Sequence, residues 1–186
     1  MKKLFTLFTF ICVLGFAQKS EIDSKIIFKD GRTLNAKIPF RVNLIWTDLI
    51  DETTISDKKV SILENGKKIK YHSSEIQSIE FIDLKNKRRF FVHVDDYRET
   101  LMEQVYDGKI KWYRNYYRNG FDGSKQKADV LYKDNNRLVL SILQNNRKKL
   151  KALTVDKPEL ESLIDKINYD KLKDEDLLNV LKKYDE

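Results

Sequence analysis

Five tight-turn signals between residues 25 and 143 constrain this chain more than anything else in it. "KIIFKDGRTLNAKI" turns at Asp30-Gly31 and "KVSILENGKKIKY" at Asn65-Gly66. "QSIEFIDLKNKRRFFVHV" turns around Lys85-Asn86, "LMEQVYDGKIKWY" at Asp107-Gly108, and "ADVLYKDNNRLVLSIL" at Asp134 to Asn136. Asn-Gly and Asp-Gly favour two-residue hairpin loops because both central positions reach positive φ at low cost. An apolar strand enters each turn and a more basic one leaves it. The pattern predicts an antiparallel meander of roughly ten short strands. It is a supersecondary rhythm and not a repeat of fixed period.

Strand alternation agrees. In "RRFFVHV", Phe90, Val92 and Val94 share one face, and Phe91 and His93 share the other. Apolar residues on both faces imply a sheet covered, at least in part, on both. The last third of the chain changes period. Leu160, Leu163, Ile164 and Ile167 recur at helical spacing, as do Leu177, Leu178, Leu181 and Tyr184. Asp156, followed by Pro158 and Glu159, reads as one N-cap, and Asp174 as another. A weaker helix spans Arg147 to Leu153. Helices of about a dozen residues are marginal alone in water, so these must pack on the sheet. No Pro-, Gly- or Ser-rich linker intervenes. Residues 42–58 fit neither period and read as an irregular connection anchored by Trp46. The expectation is one α+β domain over 18–186, β-rich in 24–143 and helical in 146–185, with two or three short C-terminal helices covering the meander.

The N-terminus, "MKKLFTLFTFICVLGFAQ", orders two lysines, an apolar run and small residues as a secretory signal peptide does. The run is about half of the roughly 20 residues that a spanning helix needs. Cleavage after Ala17 is expected, which removes Cys12, the sole cysteine. The exported chain then folds by core burial, without a disulfide and without a transmembrane span. The formal charge of +7 falls to +5 once Lys2 and Lys3 leave. Outside the cytoplasm, anionic lipid headgroups or acidic glycans are more available polyanions than nucleic acid, so no nucleic-acid partner is expected.

Catalytic patterns are sparse. The two histidines are His72, in "YHSSE", and His93, in "HVDD". His93 with Asp95 and Asp96 makes half of a metal site at most, and the plainer reading is a strand ending in an acidic turn. "NGFDGS", residues 119–124, lacks the strand and helix order of a phosphate loop, and "KDNNR", 133–137, reads as a turn. No cofactor, metal or enzymatic activity is expected.

Two surfaces stand out. "KIKWYRNYYRNGFDGSKQK", Lys109 to Lys127, packs five aromatics and six cations into nineteen residues. On a strand, Ile110, Trp112, Arg114 and Tyr116 share a face, and Lys111, Tyr113, Asn115 and Tyr117 the other. This is either a buried and solvated pair of strand faces or a platform for sugar rings or other flat ligands. The platform would use Trp112, Tyr113, Arg114, Tyr116, Tyr117 and Arg118, with Phe121 at the tip of the following loop. The second surface, Lys85, Lys87, Arg88 and Arg89, is either a solvated turn or a polyanion contact.

Several elements together resemble a group of small exported proteins from flavobacteria and related Bacteroidetes. They are Phe16-Ala17-Gln18, Ile27 to Ile38, Glu75 to Phe81, Asp107 to Tyr113, Asp156 to Leu160, and an end near Tyr184. The resemblance implies the envelope of a Gram-negative cell, periplasmic, outer-membrane-associated or secreted, and carries no substrate. The leading expectation is a non-enzymatic binding or structural module with a basic surface. A glycan- or small-ligand-binding protein and a hydrolytic enzyme are the alternatives.

Overall fold

The computed structural model describes residues 19–42, 48–95, 97, 99–134, 136–140 and 145–186. The expected leader, Trp46 and Asp96 lie outside the described residues. Ten antiparallel strands form one sheet: β1 (Lys19–Phe28), β2 (Thr33–Arg41), β3 (Lys59–Glu64), β4 (Lys67–His72), β5 (Ile76–Ile82), β6 (Arg88–His93), β7 (Leu101–Asp107), β8 (Ile110–Arg118), β9 (Lys125–Lys133) and β10 (Asn136–Leu140). Three short helices follow: α1 (Asn146–Leu153), α2 (Glu161–Asp165) and α3 (Asp174–Asp185). All five predicted turns join paired strands. At the β3–β4 turn, Asn65 and Gly66 both take positive φ, 49° and 76°, as a twisted two-residue hairpin requires.

The order departs from a simple meander. It runs β10-β9-β8-β7-β6-β5-β1-β2-β3-β4, so β5 pairs with β1 and not with β4. A three-residue turn, Ser73–Glu75, joins β4 to β5. A flat sheet would hold those strands about 19 Å apart, four strand spacings. The connection reaches roughly 14 Å at most. The sheet therefore curls into a half-barrel, with β1–β4 rolled toward the start of β5. A bulge between Ile27 and Phe28 falls where β1 meets β5, and bulges add bend and twist.

The inner face carries two cores. Ile26, Ile38, Phe40, Ile62, Ile79 and Phe91 belong to the first, and Ile50 and Ile55, from the irregular connection, plug it. Ile110, Trp112 and Leu131 belong to the second, against Leu150, Ile164, Leu177 and Leu181 of the helices. On the outer face Met102, Tyr113 and Val130 form a smaller cluster, packed by Val94 and Tyr97. Among the described residues the core runs from Ile22 to Tyr184. No helix among them is long and apolar enough to cross a membrane.

The two aspartates expected as helix caps do other work. The segment after Asp156 opens as a 3-10 turn, Pro158–Leu160, with no side-chain cap. Asp156 instead accepts from Lys133 Nζ and Tyr184 Oη, both at 2.5 Å. Helix α3 begins at Asp174 itself, whose carboxylate takes Nη1 and Nη2 of Arg114 at 2.8 and 2.7 Å. A bidentate charge-assisted pair is stronger than a single cap bond. The helices are thus tied to the sheet by charge as well as by apolar packing.

Candidate functional site

One inner row crosses the sheet through Ile26, Ile79, Phe91, Glu103, Arg114, Asp129 and Leu140. It is apolar as far as Phe91 and charged from Glu103 to Asp129. Beside it, Arg89 lies in phase with Phe91, and Tyr116 in phase with Arg114. The result is an ionic seam between the two cores. Arg89 Nε and Nη2 grip Glu103 at 2.6 and 2.8 Å. Its remaining donors reach Asp83 at 3.2 Å, Tyr116 Oη at 3.2 Å and Glu52 at 3.4 Å. Tyr116 Oη donates to Glu103 at 2.6 Å. Arg114 Nε and Trp112 Nε1 share Asp129 Oδ1 at 2.7 and 2.8 Å.

The seam is buried, with Glu103 only 4 % exposed. Burial would lower the affinity of Arg89 for its proton, but the charge of Glu103 outweighs it and holds the guanidinium above its ordinary value. Arg114 behaves likewise: burial opposes its charge, and the hydrogen bonds to Asp174 and the charge of Asp129 prevail. Burial, then the charge of Glu103, pushes the Tyr116 phenol up. Each group is fixed in one protonation state near neutral pH. The seam ties β6, β7, β8 and β9 to one another through side chains.

Its outer end opens onto a groove of about 730 Å³, lined by Tyr116 together with Tyr117 and Arg118. The wall opposite comes from β2, the 51–58 turn and the β3–β4 hairpin. Six cations line it: Arg41, Lys58, Lys59, Lys68, Lys70 and Arg118. Two carboxylates, Asp51 and Asp57, oppose them. Arg118 pairs with Asp51, and Lys58 with Glu99 at 3.3 Å. Among the described residues no ion pair engages Arg41, Lys59, Lys68 or Lys70. The hydroxyls of Thr53, Thr54 and Ser61 lie along the same groove. Ammonium, guanidinium and hydroxyl donors together suit anionic oxygens. A second groove, of about 760 Å³, shows no such excess, since Glu21 and Asp23 face Lys25 and Lys37 there.

The expected aromatic platform is divided by the fold. Trp112, 1 % exposed, lies beneath the helices. Tyr113 is buried on the outer face, edge-on to Tyr132 with ring centroids 5.6 Å apart. Arg114 and Tyr116 are consumed by the seam. Both faces of β8 are covered, so neither offers a row of exposed rings. Tyr117 and Arg118 reach the groove, and Phe121 stands at a loop tip, 97 % exposed. The 85–89 cluster is divided in the same way. Lys85 pairs with Asp48 at 3.2 Å and Arg88 with Glu80 at 2.6 Å. Arg89 is inside the seam, and Lys87 is left exposed.

His93 Nε2 lies 3.4 Å from Asp95 Oδ1, just beyond the end of β6. Burial, helped by the charge of Lys29, holds the imidazole below its ordinary value. Asp95 is largely in solvent, and among the described residues no group of three or more His, Cys, Asp or Glu could hold a metal ion. Neither His72 nor His93 lines the basic groove.

Sequence reasoning missed Lys59, Lys68 and Lys70. The signal was "KVSILENGKKIK": strands paired across Asn65-Gly66 bring their lysines to one edge. It also missed the seam. There the signal was a charge two residues from a core residue on successive strands: Arg89 with Phe91, Glu103 with Leu101, Arg114 with Trp112, Asp129 with Leu131. Comparison with protein-family models, with curated proteins and with solved structures found no match.

Proposed function

We propose that this is an exported, non-enzymatic protein of the cell envelope that holds an anionic partner in the groove between the β3–β4 hairpin and the end of β8. One observation carries the reading. Six cations meet two carboxylates there, and Arg41, Lys59, Lys68 and Lys70 have no ion-pair partner among the described residues. Lysines on β4 also discourage pairing at the sheet edge. Edge protection alone does not account for Arg41 on β2 and Arg118 on β8, which face the same groove from other strands. The seam supports the reading by holding β8 and the 51–58 turn in fixed relation, so the groove is shaped before a partner arrives.

The test uses the chain from Gln18 and fluorescently labelled polyphosphate, followed by anisotropy. Binding should weaken as salt rises. Lys59→Gln, Lys68→Gln and Lys70→Gln together should weaken it by roughly threefold to hundredfold, at a few tenths to 1 kcal/mol for each exposed charge contact. Binding indifferent to salt and to all three lysines would refute the reading.

A further inference from the structure

We propose that the anionic partner is a phospholipid bilayer surface, and that Phe121 at the β8–β9 tip is the side chain that enters it. The proposal rests on the groove reading above and adds the apolar half of the contact. Phe121 is 97 % exposed, the most exposed large apolar side chain among the described residues. It is held out by a tightly bonded loop. Asn119 N donates to Ser124 O at 2.8 Å, and Gly123 N to Asn119 O at 2.9 Å. Asn119 Oδ1 takes Phe121 N at 2.9 Å. Gly123 closes the loop at φ +70°. A ring presented by so fixed a turn loses little conformational freedom on contact.

The tip and the groove are one surface, joined through Arg118. That side chain lines the groove, pairs with Asp51, and donates from Nη1 to Gly123 O at 3.1 Å. Asp122 is the one carboxylate in the loop, and it is turned back onto Ser124 N and Oγ at 2.9 and 2.7 Å. A soluble polyanion would use the cations and have no use for the ring. An anionic bilayer uses both, since headgroup phosphates meet the cations and the acyl boundary takes the ring. A protruding aromatic beside a groove with an excess of cations is complementary to that surface.

The test uses the chain from Gln18 and sedimentation with vesicles of phosphatidylcholine, with and without phosphatidylglycerol. Binding should require phosphatidylglycerol. Phe121→Ser should weaken it by roughly tenfold to hundredfold, the worth of burying a phenyl ring, and leave polyphosphate binding unchanged. The triple lysine variant should weaken both. The chain from Gln18 has no cysteine, so an environment-sensitive dye on Phe121→Cys should shift to the blue when vesicles are added. Equal vesicle binding by Phe121→Ser, or no dye shift, overturns the proposal. Polyphosphate binding without vesicle binding overturns it too and leaves the groove reading standing, whereas failure of both probes removes both.

Discussion

Replacing Arg89 by Met should cost this protein more than any exposed substitution, because it strands a buried carboxylate. The guanidinium makes five contacts of 2.6–3.4 Å, two of them to Glu103. Without it, Asp83 keeps the backbone N–H groups of Lys85 and Lys87, each at 2.9 Å. Glu52 keeps Lys125 Nζ at 2.7 Å. Glu103 keeps only the Tyr116 hydroxyl. Breaking a buried pair from one side costs roughly 3–5 kcal/mol. At about 2–4 °C per kcal/mol for a chain of this size, the melting temperature should fall by roughly 6–20 °C. The stranded carboxylate regains stability by taking a proton, so the deficit should narrow as pH falls from about 7 toward 5. Removing both charges, Arg89→Met with Glu103→Leu, should recover about half the loss, because the cost lies in the orphaned charge more than in the missing pair. The assay is urea and thermal unfolding followed by circular dichroism at both pH values. A loss under about 1 kcal/mol with no pH dependence would mean that the seam is solvated, and the reasoning would fail.

Further outcomes follow from the ties between helices and sheet. Hydrogen bonds from Arg114 hold the Asp174 carboxyl below its usual value, and those from Lys133 and Tyr184 hold Asp156 down to about 2. A depressed carboxylate stabilises the fold above its unfolded pKa and stops doing so as pH falls through the folded one. Loosening of α1–α3 should therefore appear between about pH 4 and 2, read as loss of amide protection at Leu177–Leu181. Asp174→Asn should be less stable at neutral pH and show a shallower acid slope. Gly108→Ala should cost about 1–3 kcal/mol by overpacking, since the new methyl meets the Asp185 carboxylate and the Tyr106 ring. Asp185→Ala in the same chain should relieve part of that cost in a thermal melt, although it gives up the 2.5 Å hydrogen bond from Tyr106.

The strands and turns were legible because hairpin chemistry is local: Asn65-Gly66 needs nothing distant to make its turn. The pairing of β5 with β1 was not legible. It depends on the curl of β1–β5, which no single hairpin shows. The helices were legible from their apolar spacing, but Asp156 and Asp174 were misread as caps. A cap is inferred from neighbours in sequence, whereas Lys133 lies 23 residues from Asp156, and Arg114 60 from Asp174. The aromatic stretch was ambiguous for a related reason. Alternation says which rings share a face, and says nothing of whether the helices, or Val94 and Tyr97, cover that face. The basic groove draws on four separate stretches of chain, so composition showed its charge and could not place it.

Hydrogen exchange of the chain from Gln18, with and without phosphatidylglycerol vesicles, tests the central claim most directly. Slowed exchange at 59–70 and 117–125, reversed by added salt, is the predicted result. Exchange unchanged in both segments, or slowed instead on β10 and α1 at the far end of the sheet, would contradict it.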